Sequence, residues 1–308
     1  MRTFSKAFSF LCLLALCLTI GCGEREDAGL STHRGEYAVM TYNLHQYGLE
    51  DRDDDGQRND PKPQSEVRAI IKTIAECQPE ILIVQEIGNP IIYQDFKDQL
   101  AKQGLAYHNH EYLRMGQHDN NIALLTDYEI VARRPHTNDT YSIGNTSLNV
   151  SRGIIDVDVQ ITKNYLLRIM AAHLKSKVYH PLGQTEMRRN EARILGQHIR
   201  NALRDNPALR LLVAGDFNDQ PDSAALREIG GPSKTPVLKD VRPVDSSGDA
   251  WTQFQERVDI YSRLDYILAS PNLYRDLVHR KTRVVNLPET RMASDHRPLV
   301  AVFRTGPR

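Results

Sequence analysis

Three short segments of this sequence place acidic, amide and imidazole side chains beside apolar stretches. Asp216 and Asn218 flank Phe217 directly after an apolar run, and Asp295 precedes His296 just before another. Side chains two residues apart in an extended chain point to the same side, so Asp216 and Asn218 would face one site. A carboxylate beside an amide can position a water molecule and hold a phosphate oxygen. An Asp with an Asn two residues later is also common turn chemistry, so this pair alone is ambiguous.

The third segment places Asp265 at the start of the apolar run 264–268. A carboxyl group buried there must find a partner or become neutral. His296 is the obvious candidate, because an acid bound to an imidazole fixes its tautomer and raises its pKa. The adjacent Asp295 and His296 can also complete a metal shell or act on a scissile phosphate.

The elements that must position these residues follow the pattern of a layered α/β protein. We predict strands over 37–42, 81–85, 121–125, 154–161, 166–172, 211–214, 264–268 and 299–303, and helices over 65–77 and 184–204. The polar side of the second helix is interpreted as a solvated face; it carries Arg188, Arg189, Glu191 and Arg193. Most chemical motifs begin or end a strand, where a rigid sheet can hold side chains in convergent positions.

Six motifs between residues 40 and 298 resemble, in order and rough spacing, the endonuclease/exonuclease/phosphatase superfamily: 40–43 (MTYN), 84–86 (VQE), 173–175 (HLK), 215–218 (GDFN), 264–267 (LDYI) and 294–298 (SDHRP). This group contains pancreatic-type deoxyribonuclease, the abasic-site endonucleases, neutral sphingomyelinases and inositol-polyphosphate 5-phosphatases. The resemblance implies an α/β fold, a four-layer sandwich of two packed mixed β-sheets flanked by helices. It places the active site at one edge of the sheets.

The resemblance also implies a metal site. Glu86 resembles the principal metal ligand of the family, and Asn43 and Asp295 would lie beside the ion. These oxygen donors suit Mg²⁺ or Mn²⁺. A bound cation would reverse the sign of the acidic field, which is how carboxylates can serve an anionic substrate.

Catalytic roles follow for five further residues by the same resemblance. Asp216 would orient or deprotonate the attacking water, while Asn218 and His296 would stabilise charge on the phosphate. Asp265 would support His296. His173 would contact the phosphate or protonate the leaving oxygen.

Three residues are candidates for substrate binding. Lys175 follows His173 by two residues along the chain and would face the same way, although a solvated lysine is an equal alternative. Asn121 occupies a position where relatives have a polar residue on the substrate side, and Arg152 is a candidate for phosphate contact. The nine histidines other than His173 and His296 are interpreted as surface residues.

The polar segment 50–64 resembles the start of a calcium-binding loop. Asp51, Asp53 and Asp55 precede Gly56, but the twelfth position is Lys62, where such loops have Glu. A structural Ca²⁺ and a merely solvated acidic loop both remain open. A loop of this length after Asn43 would also stand near the active site and shape substrate access.

The amino-terminal residues have the layout of a secretory signal. Arg2 and Lys6 precede the apolar run 7–20, which is shorter than the roughly 20 residues of a membrane span. Cys22 follows it as in a bacterial lipobox, although Thr19 stands where Leu is usual. We therefore expect a lipoprotein signal peptide over 1–21, lipidation of Cys22, a flexible tether over 22–36 and a catalytic domain over 37–305. Ordinary signal cleavage is the alternative.

The charge balance of the chain restricts the classes of function that it can have. The 39 basic and 39 acidic residues cancel, so the chain is no basic nucleic-acid scaffold. We expect an exported, membrane-anchored monomer facing the periplasm or cell exterior, acting as a phosphodiesterase on nucleic acid. The lysine pair Lys175 and Lys177 favours that polyanionic substrate. A lipid or small-molecule phosphoesterase is the alternative, and an inactive binding lipoprotein is a third hypothesis.

Overall fold

The structure, a computed structural model, describes residues 35–115, 120–232 and 234–306. The predicted signal peptide, Cys22 and most of the predicted tether lie outside the described residues. The first strand begins at Glu36, one residue before the predicted domain boundary. Within the described ranges, no helix combines the length and apolar character needed to span a membrane.

The strands are β1 Glu36–Tyr47, β2 Leu49–Glu50, β3 Asp60–Pro61, β4 Ile81–Ile87, β5 Asn109–Leu113, β6 Asn121–Thr126, β7 Glu129–Arg133, β8 Thr140–Ile143, β9 Thr146–Asn149, β10 Ile154–Thr162, β11 Tyr165–His173, β12 Leu211–Asp216, β13 Lys239–Asp240, β14 Gln253–Gln255, β15 Ile260–Ser262, β16 Asp265–Ala269, β17 Arg283–Val284 and β18 Leu299–Arg304. The helices are α1 Gln64–Cys77, α2 Pro90–Lys102, α3 Gln184–Asp205, α4 Ala224–Gly230, α5 Pro271–Arg275 and α6 Thr290–Ala293.

Two six-stranded mixed sheets form the body of the domain. The first has the order β17-β18-β1-β4-β6-β5, and the second has the order β13-β16-β12-β11-β10-β7. One parallel pair lies inside each sheet, β1 with β4 and β11 with β12, and the neighbouring strands run antiparallel. The carboxyl ends of each parallel pair therefore lie at the same edge of their sheet.

Alternation along the strands divides the core into layers. In β1, Tyr37 and Val39 pack between the sheets, whereas Ala38 and Met40 pack on the outer face. Helices α1 and α2 cover that outer face, and α3 and α4 cover the outer face of the second sheet. Both faces of the central strands are buried, which explains their nearly continuous apolar runs. The predicted four-layer α/β sandwich is confirmed.

The solvated face predicted for α3 is wrong at two of its four residues. Arg189 and Arg193 are exposed, but Arg188 is 3% exposed and Glu191 is fully buried. Both buried side chains turn toward the ends of β11 and β12, where Arg188 donates to Asp219 and Glu191 accepts from Lys175. Charged residues at such positions are retained because each finds a partner.

One glycine is required where the second sheet approaches the site. Gly215 has a φ of +138°, and a Cβ at this position would lie 2.0 Å from the carbonyl oxygen of Ala172. This close approach lets β12 deliver Asp216 directly beside His173 of β11.

Candidate active site

Strand ends of both sheets converge at one edge of the sandwich. In the second sheet, Asp216 is paired with His173 on one side and with Asp265 on the other. In the first sheet, Asn43 pairs with Gln85, and Glu86 follows at an irregularity of the strand pairing. Glu86 has a φ of 61°, a left-handed conformation that is uncommon outside glycine and that clusters at functional sites.

The Asn43 amide joins the two sheets. Its Nδ2 donates to Oε1 of Glu86 at 3.1 Å and to Oδ2 of Asp216 at 3.0 Å. Nε2 of His173 lies 3.4 Å from the same Asp216 oxygen and 3.9 Å from Glu86. Asn218 donates to Asp216 through its backbone N–H at 2.8 Å and through its side chain at 3.2 Å. One buried carboxylate thus collects groups from both sheets.

The pairing of Asp265 with His296 expected from the sequence is present. Oδ2 of Asp265 lies 2.7 Å from Nδ1 of His296, whose Nε2 lies 3.9 Å from Asp216. The hydroxyl oxygen of Thr252 accepts the backbone N–H of Asp265 and fixes the start of β16. Burial alone would lower the pKa of His296, but the carboxylates of Asp265, Asp295 and Asp216 raise it well above its usual value. These carboxylates therefore favour the protonated form of His296.

Two further groups of the site, His173 and Asp216, have pKa values shifted in opposite directions. Burial, followed by the nearby charges of Arg152, His296 and Lys175, lowers the pKa of His173 well below its usual value. Burial and then the Asp265 charge raise the pKa of Asp216 to about 7. One imidazole that favours its neutral form, one that favours its protonated form and a carboxyl group with a pKa of about 7 give the site both acid and base capacity.

The oxygen donors of the site fit a hard divalent cation. Oδ1 of Asp295 and Oδ1 of Asp265 are buried, and neither has a hydrogen-bond partner among the described residues. Glu86 and Asp295 are the more exposed members of the site, with 18% and 29% of their side chains accessible. Ligand atoms of Asp216, Asp265 and His296 also lie within 4.8 Å of one another. Such unpartnered carboxylate oxygens suit Mg²⁺ or Mn²⁺, and the ligand set of Glu86, Asn43 and Asp295 stays a prediction.

The three predicted substrate-binding residues occupy different settings. Arg152 lies beside the cluster, and its guanidinium donates to the carbonyl of Leu174 at 3.2 Å. Lys175 is partly exposed beside His173 and has its ammonium group 3.2 Å from the Ser176 hydroxyl.

Asn121 is 2% exposed, and its amide donates to the carbonyls of Ile87 and Gly88 and to the Tyr112 hydroxyl. These bonds hold the segment after Glu86. None of these bonds involves a substrate, so contact of Asn121 with substrate stays a prediction.

Three residues that the sequence analysis did not single out for the site support it. Nδ1 of His45 lies 3.6 Å from Asp295, and the Gln253 amide donates to Asp295 at 3.0 Å. Glu191 accepts from the backbone N–H groups of Ser151 at 3.0 Å and Lys175 at 2.7 Å. The position of His45, two residues after Asn43, could have indicated from the sequence that it lies at the site. No such indication exists for Gln253 and Glu191, because their partners are distant in sequence.

The acidic loop brings its three carboxylates together. Ligand oxygens of Asp51, Asp53 and Asp55 lie within 4.8 Å of one another. Lys62, at the twelfth position of the loop, is buried, and its ammonium binds Glu66 and the carbonyl of His45, each at 2.8 Å. Lys62 thus anchors the segment after Asn43, and a structural Ca²⁺ stays a prediction.

An aromatic groove adjoins Asp295. The groove is a cavity of about 680 Å³ whose lining includes His45, Asp295, Trp251, Phe254 and Tyr261. The Phe254 and Tyr261 rings stack with centroids 4.4 Å apart, and Trp251 meets Tyr261 edge-on at 4.8 Å. The groove therefore offers flat apolar surfaces next to the polar cluster.

The domain resembles several solved structures at low sequence identity. The human Nocturnin catalytic domain with a bound sulfate anion is 20% identical, with 88% of this chain and 94% of that chain covered and a TM-score of 0.62. An endonuclease/exonuclease/phosphatase from Beutenbergia cavernae is 19% identical, covering 89% and 72% with a TM-score of 0.61. Truncated TDP2 from Caenorhabditis elegans is 17% identical, covering 87% and 98% with a TM-score of 0.56.

These likenesses establish the fold. No curated protein matches the sequence. The endonuclease/exonuclease/phosphatase family model matches residues 40–296, which contain five of the six motifs, the first three residues of the sixth, and the converging side chains. The chain therefore belongs to the endonuclease/exonuclease/phosphatase family.

Proposed function

We propose that this protein is an extracytoplasmic phosphodiesterase that cleaves nucleic acid by attack of water on phosphorus, with Mg²⁺ or Mn²⁺ as cofactor. The family supports the coarser statement that the chain is a phosphoester hydrolase. The observation that carries the proposal is the network around Asp216, in which Asn43 links it to Glu86 and two imidazoles lie within 4 Å.

Asp216 is the group best placed to act on water. Its carboxyl is held by Asn43 and Asn218, and its pKa of about 7 lies near neutral pH, where a general base is most effective. His296 carries a positive charge held by Asp265 and can stabilise the negative charge that develops on the phosphate. His173 lies 3.4 Å from the same Asp216 oxygen, and its ring can contact the phosphate.

Glu86, Asn43 and Asp295 are the residues that would hold the metal. A divalent ion there supplies Lewis-acid polarisation of the phosphate and offsets its negative charge. The Asp295 carboxylate is oriented for this by Gln253 at 3.0 Å. The Asn43 backbone carbonyl accepts the Ser294 hydroxyl at 2.9 Å, which fixes β1 against the segment that carries Asp295.

The aromatic groove favours a nucleic-acid substrate. Tyr261 is 52% exposed, and bases stack on such rings without regard to sequence. Arg257 and Arg291 also line the groove, beside Glu66 and Glu256, and their guanidinium groups are available to bind neighbouring phosphates. An aromatic groove can also accept an acyl chain, so hydrolysis of a lipid phosphoester is the second candidate. An inactive binding lipoprotein is disfavoured, because the acids and imidazoles of the site are all present.

A substrate panel tests the proposal. The purified protein is incubated with plasmid DNA, single-stranded DNA, RNA, sphingomyelin and inositol phosphates, with Mg²⁺ or with EDTA. Asp216→Ala should abolish cleavage while the protein stays folded, and Asp222→Ala, an exposed acid nearby, serves as the control. If the protein cleaves only sphingomyelin or inositol phosphates, the nucleic-acid substrate is wrong and the protein is a lipid or small-molecule phosphoesterase. Absence of metal-dependent cleavage in every reaction would overturn the hydrolase.

Export and the lipid anchor rest on residues 1–22 of the sequence alone. We expect radiolabelled palmitate to be incorporated into the full chain in a bacterial host and not into Cys22→Ser. Equal labelling of both chains, or of neither, would contradict the anchor. We expect a monomer, and light scattering of the purified protein measures its molecular mass in solution.

A further inference from the structure

A second cluster of metal-ligating side chains lies at the base of the hairpin formed by β8 and β9. His136 and Asp139 belong to the segment that leads into the hairpin, and His198 belongs to α3. One ring nitrogen of each histidine and one carboxylate oxygen of Asp139 lie within 4.8 Å of one another. The cluster contains none of the residues assigned to the active site.

The backbone on both sides of this cluster is fixed. His136 exchanges two backbone hydrogen bonds with Ile154, at 3.0 and 3.1 Å. The carbonyl of Asp139 accepts the Val150 N–H at 2.9 Å, which closes the base of the hairpin. His198 lies two helical turns after the buried Glu191 of α3. Ligands held by strand pairing and by a helix are more precisely placed than ligands on a free loop.

Each of the two imidazoles lies beside a carboxylate. Their rings stack with centroids 3.6 Å apart, and the Nε2 of His198 lies 2.7 Å from Asp139. The Nε2 of His136 lies 3.1 Å from the buried Asp156, which also receives two bonds from Arg168. A carboxylate behind a histidine is the usual support of a metal-binding imidazole. It leaves the Nδ1 of His136 with no hydrogen-bond partner in the part of the chain that is described.

We propose that His136, Asp139 and His198 bind a transition-metal ion of the Zn²⁺ type. Two imidazoles and one carboxylate are a ligand set that suits Zn²⁺ rather than the oxygen-preferring Mg²⁺. Ligand atoms around a tetrahedral Zn²⁺ lie about 3.4 Å apart. On binding, the 2.7 Å contact between His198 and Asp139 must therefore lengthen, and the two stacked rings must turn apart. The side chains of His198 and Asp139 are 23% and 26% exposed, which leaves room for this movement and for a water ligand.

The bound ion would clamp the hairpin base to α3. The same two parts of the fold are already joined where Glu191 accepts from Ser151. Arg152 follows Ser151 and reaches the carbonyl of Leu174 next to His173. The clamp would therefore stabilise the side of the domain that carries Arg152, and its role is structural rather than catalytic.

Metal content and thermal unfolding of the full chain test the proposal. Zn²⁺ binding is measured by equilibrium dialysis with elemental analysis in the parent, His198→Ala, Asp139→Asn and a control, His108→Ala. His108 is a matched control because its ring lies 2.8 Å from Asp127, also an Asp, but the described residues supply no third ligand there. Comparison among variants cancels any Zn²⁺ that the active site binds.

We expect the parent and His108→Ala to bind one more equivalent of Zn²⁺ than the other two variants, or to bind it about 100-fold more tightly. Free Zn²⁺ at about 100 times Kd should raise the Tm of the parent by about 5 °C, and this shift should vanish in His198→Ala and Asp139→Asn. Equal binding by all four proteins would overturn the proposal. Unfolding curves without metal show whether each variant is folded, and loss of binding in a folded Asp139→Asn supports the site even if His198→Ala is unstable.

Discussion

Glu191→Gln tests how the fold holds the polar side of the active site. The carboxylate is fully buried on α3 and uses both oxygens. Oε1 accepts from the Ser151 backbone at 3.0 Å and from its hydroxyl at 2.5 Å, while Oε2 accepts from the Lys175 backbone at 2.7 Å. Glutamine has a similar shape but only one acceptor oxygen. One of these N–H groups must therefore lose its partner and face another donor.

The expected cost follows from this count. A buried donor without a partner costs about 1–3 kcal/mol, and the bonds that remain lose the contribution of the negative charge. We expect the free energy of unfolding to fall by about 2–4 kcal/mol, which lowers Tm by about 4–8 °C in a domain of this size. Since Ser151 precedes Arg152 and Lys175 follows the segment of His173, small displacements there should lower kcat/KM by about 10- to 100-fold.

The measurement needs two readouts and one control. Thermal unfolding gives the loss of stability, and metal-dependent cleavage of the best substrate gives kcat/KM. Glu186→Gln, an acid of the same helix with 53% of its side chain exposed, should change neither quantity appreciably. If Glu191→Gln behaves like Glu186→Gln in both assays, Glu191 does not hold the site together and the reasoning is refuted.

Four further predictions concern the site and the core. Asp265→Asn removes the carboxylate partner of His296, which we propose stabilises charge on the phosphate, and should lower kcat by about 10²- to 10⁴-fold with little change in KM; an unchanged kcat would contradict the proposed role of this pair. Gly215→Ala places a Cβ 2.0 Å from the carbonyl oxygen of Ala172 at a φ of +138°, so it should destabilise the domain by about 3 kcal/mol or more in urea titrations, whereas Gly230→Ala, with open space around it, should not. Burial raises the pKa of Glu80 from 4.5 to about 7. The folded state therefore favours the protonated acid, and the wild type loses stability as pH rises from 4.5 through about 7. Relative to it, Glu80→Gln should gain about 1–2 kcal/mol across that window after allowance for partial exposure, and a constant difference would argue against this. Treatment with EDTA should abolish phosphoester cleavage, and added Mg²⁺ or Mn²⁺ should restore it; activity that survives EDTA would contradict the metal requirement.

The sequence was sufficient to predict elements whose pattern lies within one continuous stretch of residues. Helix α3 was predicted over 184–204 and observed as Gln184–Asp205, because its apolar residues recur with helical spacing. Strand β12 was anticipated from a short apolar run that ends in a polar motif. The pairing of Asp265 with His296 could be proposed because a buried acid requires a partner, and few candidates were near a strand end.

Other features had no local signal. Arg188 and Glu191 were interpreted as solvated because charged residues on a long helix usually are, yet their partners come from the ends of strands. The sequence predicts His136 and His198 as surface residues, yet their rings stack although they lie 62 positions apart in the chain. Sequence periodicity reports which face of an element is apolar and does not report which polar groups a distant element presents to it.

The sequence by itself determined the order of the motifs, the alternation of strands and helices, and the residue types available for phosphoester chemistry. Tertiary structure alone decided that Asn43 bridges Glu86 and Asp216, that Glu191 supports the backbone at Ser151 and Lys175, and that Asn121 is committed to backbone carbonyls. The physical reason is that hydrogen bonds and pKa shifts depend on distances of a few ångström. For Asn43 and Asp216 those distances are set by the packing of the two sheets against each other, which joins residues 173 positions apart. For Glu191 they are set by the packing of α3 against the second sheet.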